Sequence, residues 1–306
     1  FNEWSNLKNL PTGGNYYLAN DVTLDSTWRP TENVKLCLNG HKISGPDGYD
    51  VISVTNGIKV TVSDCGGDKA ASSEAKIYHE TGASGNGVEV AVGGTFNLYG
   101  GKITSNICGV NNAGTFNMYG GSITGNNNDI GAGAVINSGA VNLYDGSITG
   151  NSSAAGAGAV QIESGSVVKL GGSSKITDNT SGSENTACNL YLDKNALITV
   201  DDSEELSFRG KAGISAYNQE TLKDYDNILT ISQNVLSSDT SPYRDFVADN
   251  TNYEICKDTD GKLALRKART PVSLDCSYGM DYNGTEQVGV RENPGYTLTG
   301  VTKATE

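Results

Sequence analysis

The sequence predicts an all-β fold, a right-handed single-stranded parallel β-helix, and three observations point to it. The same words recur: GTFNLYGGKITSN at 94–106, GTFNMYGGSITGN at 114–126, GAVNLYDGSITGN at 139–151 and the looser GSVVKLGGSSKITDN at 165–179. Internal repetition at roughly 20 to 50 residues is the signature of a solenoid. One part of each repeat also has fixed length while the rest varies. Phe96 to Asn106, Phe116 to Asn126 and Val141 to Asn151 are ten residues each, whereas Asn106 to Phe116 is ten, Asn126 to Val141 fifteen and Asn151 to Val167 sixteen. Stacked coils tolerate this, because one loop can bulge outward while the strands above and below it stay in register. Finally, apolar residues alternate: Phe96 and Leu98 flank Asn97, and Ile103 follows a Gly-Gly corner, which is the period of a strand and not of a helix.

The elements follow in order. Residues 1–19 hold Trp4, Leu7, Leu10, Tyr17 and Leu18, enough apolar surface for an N-terminal cap over an end that would otherwise invite end-to-end pairing. Residues 20–202 are read as the β-helix. Worn copies of the pattern appear upstream as VTL (22–24), VKLCLNGHKISG (34–45), VISV (51–54) and IKVTVSDCGG (58–67), and downstream as CNLYLDKNALITV (188–200). A third strand in each coil is visible as GVEVAV (87–92), GAVINSG (133–139) and GAVQIESG (158–165). About eight coils of three short strands give a rod roughly 40 Å long at the ~4.8 Å strand spacing. Residues 203–269 break the repeat and are expected to form a C-terminal cap, with a short helix from Ser241-Pro242 and a hairpin of NYEIC and KLALR around Asp260-Gly261. From 270 to 306 the pattern shifts to strands around Asn283-Gly284, too few residues for a core of their own, and reads as the truncated start of a further β module.

A formal charge of -13, with 22 dispersed Lys and Arg, leaves no basic face for phosphates, so nucleic acid and anionic membrane are poor partners. No apolar run approaches the ~18 residues of a membrane span. A chain beginning at Phe1 without a charged-then-apolar leader reads as a processed protein or an excised fragment; separately, the expected state is a monomer. The cysteines Cys37, Cys65, Cys108, Cys188, Cys256 and Cys276 form no C-x-x-C pair, which argues against zinc or redox chemistry. Cys37 and Cys65, 28 residues and so about one coil apart, could meet as a disulfide; the alternative is that all six are small buried hydrophobes.

The LCLNGHKISG and VTVSDCGG phrases, the GGxITGN repeats and the NYEICKDTDGKLALRK ending resemble the β-helix regions of large surface proteins of Gram-positive gut anaerobes. The tail PVSLDCSYGMDYNGTEQ looks like the opening strands of the immunoglobulin-like modules that follow such β-helices. The resemblance implies an extracellular, cell-surface protein, anchored to the wall through a C-terminal region that is not in this chain.

The β-helix enzymes, pectate lyases and polygalacturonases, work with carboxylates on outward positions of neighbouring coils, and glycoside cleavage needs an acid and a base or nucleophile close together. Here the outward columns are Thr95, Thr115 and Ala140; then Asn97, Asn117, Asn142 and Lys169; then Tyr99, Tyr119 and Tyr144. None titrates usefully near neutrality. Tyr99, Tyr119 and Tyr144, with Asn97, Asn117 and Asn142 beside them, are the candidate glycan-binding face, and an aromatic ladder that stabilises the sheet is the competing reading. Asn106, Asn126, Asn151 and Asn179 are expected to hydrogen-bond from coil to coil and hold a corner. Asp145 fits a turn, and His41 a structural hydrogen bond; His41 and His79 have no serine motif beside them.

The run Asp201, Asp202, Glu204 and Glu205 reads as a solvated edge. Calcium is the one ion it could take, and no other cofactor is implied. Two functions stand. One is a non-enzymatic surface scaffold or adhesin module that meets a host or dietary glycan or a surface protein. The other is a carbohydrate-active enzyme, a polysaccharide lyase or glycoside hydrolase, with Asp47, Asp50, Asp64 and Asp68 gathered in a cleft. An autotransporter-like passenger is disfavoured by the wall-protein character of the tail.

Overall fold

The computed structural model describes residues 1–65, 75–201, 208–224, 226–236 and 245–268, together with the strand pair Gln287–Val288 and Lys303–Ala304. The chain falls into two compact units, 1–268 and 269–306. In the second, Gln287–Val288 runs antiparallel to Lys303–Ala304. The Asn283-Gly284 turn, Cys276 and the rest of the immunoglobulin-like reading lie outside the described residues.

The first unit is a parallel β-helix with three strand-bearing faces. On the first face, strands Val34–Cys37, Lys59–Ser63, Thr95–Leu98, the opening halves of Thr115–Thr124 and Ala140–Thr149, Val167–Leu170 and Leu197–Val200 stack in parallel. Their inward residues form one column, Val34, Val60, Phe96, Phe116, Val141, Val168 and Ile198, every one of them buried. The second face stacks Val22, Ile43, Ile77, Ile103, Ile123, Ile148, Ile176 and Ala212. The third stacks Ile52, Val88, Val110, Val135, Val160, Leu190 and Ile214. Each such aliphatic contributes roughly 1.5 to 3 kcal/mol by leaving water. A one-residue slip would turn a whole strand's column outward, so these columns hold the register.

The fourth repeat sits one residue later than its words suggest. Val168, not Val167, lies over Val141, while Val167 faces outward beside Ala140. Burial decided between two adjacent valines that spelling could not separate.

The parallel ladder is longer than 20–202. Asn2–Trp4 pairs in parallel with Gly14–Leu18, which pairs in parallel with Val34–Cys37, so the segment expected as a lid itself stacks as a coil. At the other end Lys211–Ala216 lies parallel to Lys175–Ile176 and Leu190–Leu192, and Phe246–Ala248 lies parallel to Lys211–Ala216. These coils lack the recurring words and keep only the inward apolar pattern, which is what stacking requires. Closure falls to an antiparallel sheet of Ile228–Val235, Lys262–Lys267 and Tyr253–Lys257, the last two being the expected hairpin. Ile198 pairs with Ser232, which joins that sheet to the first face. The helix expected at Ser241-Pro242 lies outside the described residues; Gln219–Thr221 forms a single 3-10 turn.

The variable loop is itself stacked. Asn127–Asn128, Ser152–Ser153 and Thr180–Ser181 form a small parallel ladder of their own, backed by Ala132, Ala157 and Cys188. Backbone runs directly over backbone there. A Cβ on Gly156 would come 2.5 Å from Gly131 backbone atoms, and one on Gly158 would come 2.4 Å from the Thr180 nitrogen. The GAGAV spelling of the insertions is therefore a packing requirement.

Candidate functional site

The outward columns of the first face stack where the repeats place them. The Tyr99 and Tyr119 ring centroids are 4.6 Å apart and those of Tyr119 and Tyr144 are 5.3 Å apart, with both pairs inclined by 16°. Tyr99 is 52% exposed and Tyr119 38%. Burial, then the neighbouring Tyr99 and Tyr144, push the Tyr119 hydroxyl above its ordinary pKa. Ring face covers ring face inside this ladder, so its edges and hydroxyls are what it presents. The coil before it follows Val62 with Ser63, and the coil after it follows Leu170, which is in register with Leu143, with Gly171, so neither end face meets another aromatic in its column.

Beside the rings, Asn142 Nδ2 donates to Asn117 Oδ1 at 2.7 Å, Asn117 Nδ2 to Asn97 Oδ1 at 2.8 Å, and Asn97 Nδ2 to Thr61 Oγ1 at 3.2 Å. Lys169, next in the column, is held by an ion pair with Asp201 at 2.7 Å. Asp201 is thus buried and neutralised, unlike the solvated edge expected of it; Asp202, Glu204 and Glu205 lie outside the described residues. Among the described residues no group of three His, Cys, Asp or Glu side chains is arranged to hold a metal ion.

The corner asparagines form a second, buried ladder. Asn126 Oδ1 accepts both the backbone N–H and the Nδ2 of Asn106, at 3.1 and 3.0 Å. The same double bond recurs from Asn126 to Asn151, from Asn151 to Asn179 and from Asn179 to Asn189. The first three links span 20, 25 and 28 residues, so the corner keeps its geometry whatever the coil length. Both ends are polar side chains of another kind. His79 Nδ1 meets Asn106 Oδ1 at 2.8 Å while its Nε2 faces the Tyr49 carbonyl at 2.8 Å, and Asn189 donates through its N–H and Nδ2 to Asp249. Burial raises the pKa of the Asp249 carboxyl, and the hydrogen bonds from Asn189 and Ser215 work against that shift.

The carboxylates of the enzyme reading hold turns. Asp47 Oδ1 accepts from the Ser84 N–H at 2.9 Å and from its hydroxyl at 3.2 Å, which holds its carboxyl below the ordinary pKa. Asp50 accepts from Asn86 N–H, and Asp64 from Gly40 N–H; Asp68 lies outside the described residues. His41 Nδ1 lies 3.1 Å from Asp21 Oδ1, a structural pairing, and Asp145 accepts from the Gly146 N–H of its own turn. Cys37 and Cys65 are bonded, with Cα atoms 5.9 Å apart, whereas Cys108, Cys188 and Cys256 are free and buried. Burial pushes the Cys108 thiol up to about 12, which keeps it inert.

Two residues escaped the sequence reading. Asp249 carries no local signal and meets Asn189 from 60 residues away. Glu89 stands outward in a column with Ser53 and Asn111, and burial together with Asp50 raises its carboxyl pKa. The E in GVEVAV, an acidic residue among valines, was the available clue. Comparison of the chain with protein-family models, with curated proteins and with solved structures finds no match.

Proposed function

We propose that this chain is a non-enzymatic scaffold or adhesin module on the outside of a bacterial cell, meeting a glycan or protein along an outer face of its β-helix. One observation carries the reading: the outward columns from Thr95 to Tyr144, Ala140 apart, are amide, phenol and hydroxyl groups, the asparagines bonded to one another in register and the tyrosine rings stacked although Tyr119 pairs with Asp145 along the backbone. Such a face is rigid, uncharged and repetitive, properties that serve recognition of an extended polymer better than proton transfer. The Cys37–Cys65 disulfide supports an oxidising, extracellular compartment.

The second reading, a carbohydrate-active enzyme, is favoured by Glu89, whose raised pKa beside Asp50 is what a general acid needs. A glycan and mucin binding screen, run beside a polysaccharide degradation assay, separates the two. Binding without new reducing ends or unsaturated products is expected, with binding lost when Tyr99→Ala, Tyr119→Ala and Tyr144→Ala are combined and circular dichroism shows the fold retained. Product release abolished by Glu89→Gln would overturn the scaffold reading in favour of the enzyme.

A further inference from the structure

Beyond Val200 the repeated words stop, and beside this margin the turn after Leu192 and the segment after Ala216 carry polar side chains that bond to no other side chain. A groove of about 330 Å³ opens between the turn at 192–197, the segment 216–218 and the strand Ile228–Val235. Its volume lies at the lower end of the range typical of small-ligand sites. The floor is apolar, made by Leu192, Leu229 and Ile231. The rim carries Tyr217, 59% exposed, with Asp193, Asn195, Asn218 and Lys262.

Among the described residues the side chains of Asp193, Asn195 and Asn218 make no hydrogen bond, whereas the outward asparagines of the repeat are bonded to one another. One carboxylate and one ammonium balance, so the rim has no net charge to select an ion. An exposed aromatic ring above an apolar floor takes the C–H face of a pyranose, and two free amides can each donate to and accept from its hydroxyls.

We propose that this groove is a binding site for a neutral oligosaccharide, with Tyr217 as the stacking platform and Asn195, Asn218 and Asp193 as the hydroxyl partners. The inference rests on the glycan-binding reading and adds a second seat, at the C-terminal end of the β-helix and apart from its tyrosine ladder. The test is amide chemical-shift mapping of the whole chain with cellotriose, maltotriose and xylotriose, and with trigalacturonate as the charged counterpart.

Saturable shifts at 192–197, 216–218 and 229–232 with a neutral trisaccharide are expected, and these are weakened by about tenfold or more in Tyr217→Ala and in Asn218→Ala, while any shifts at the tyrosine ladder are unchanged in both variants. Because Tyr217 and Asn218 lie at the surface, circular dichroism is expected to be unchanged in both variants. Shifts at Tyr99, Tyr119 and Tyr144 alone would overturn the groove and leave glycan binding on the outer face. Shifts with trigalacturonate alone would overturn the neutral class. No shift with any of the four would overturn the groove and count against glycan binding as well.

Discussion

The asparagines of the corner ladder and those of the C-terminal groove are the same residue under two regimes. Asn106, Asn126, Asn151, Asn179 and Asn189 are buried, and each accepts through Oδ1 from the residue before it and gives through Nδ2 to the residue after it. Asn195 and Asn218, which line the groove, form no such chain. In the first region a coil supplies the partner its neighbour needs, because both are the same coil. Past the last repeat some coil-to-coil bonds persist, as from Thr199 Oγ1 to Gln233 Oε1 and from the Val200 N–H to Asn234 Oδ1, but the groove's turn and segment leave donors and acceptors for something else. A regular solenoid face is therefore good scaffolding, and its irregular margin is where unspent recognition chemistry collects.

The sharpest way to break this comparison is to delete one asparagine from each region. Asn126→Ala leaves the backbone N–H of Asn106 and one hydrogen of its Nδ2 without an acceptor in the interior, the other still reaching the Thr104 carbonyl, and about 3 kcal/mol of stability should be lost in urea unfolding. Asn218→Ala, at a surface with nothing to strand, should stay within about 0.5 kcal/mol of the parent. Asn112 refines the point: it is buried, but its Oδ1 has no partner and the coil before it uses Val90 at that place. Its Nδ2 donates to Asn137 Oδ1 at 2.8 Å and to the Ala140 carbonyl at 3.0 Å, so Asn112→Val, which loses these bonds but relieves the unpartnered Oδ1, should cost about 1 kcal/mol, less than Asn126→Ala.

The tyrosine column comes next in size. Tyr119 has a ring on each side, and Tyr119→Ala should lower stability by about 1 kcal/mol, whereas Tyr217→Ala should leave it unchanged.

The smallest expected effect is on pH dependence. Burial raises the pKa of Asp249 at the ladder's end, and that of Glu89, above their ordinary values, so the folded chain binds these protons more tightly than the unfolded chain. Their contribution is complete below the ordinary carboxylate range, about 4, and is lost as pH rises through the folded pKa values. The melting temperature should therefore climb on acidification from pH 7 to about 5, and climb less in Asp249→Asn. Below that range Asp47 and Asp178, whose carboxyls are held low by hydrogen bonds, act in the opposite sense. A melting temperature that fell steadily from pH 7 would contradict the assignment.

Much of this was legible in the sequence, for a physical reason. Stacking repeats every constraint once per coil, so Phe96 over Phe116, Tyr99 over Tyr119 and the Asn106 series were written several times and could be read as columns. What was written once could not be read. The coil of Asn2–Trp4 and Gly14–Leu18 looked like a lid because its apolar residues follow no repeated words. Lys211–Ala216 passed as cap for the same reason. Asp249 reaches Asn189 across a gap that no local pattern encodes. The groove is assembled from three segments, none of which is a motif by itself. The inserted loops were legible as insertions but not as a ladder, since their stacking depends on glycines that let backbone lie on backbone.

The register of unequal coils supports everything else, and engineered disulfides measure it directly. Thr95, Thr115 and Ala140 are outward neighbours on successive rungs. At a rung spacing of about 4.8 Å, adjacent pairs lie within the Cα separation a disulfide spans, and a pair two rungs apart does not. Under mild oxidation, with peptide mass spectrometry as the readout, Thr95→Cys with Thr115→Cys and Thr115→Cys with Ala140→Cys should cross-link. Thr95→Cys with Ala140→Cys should not. A cross-link between 95 and 140, or none between either adjacent pair, would contradict the stacking on which the scaffold, its ladders and its groove depend.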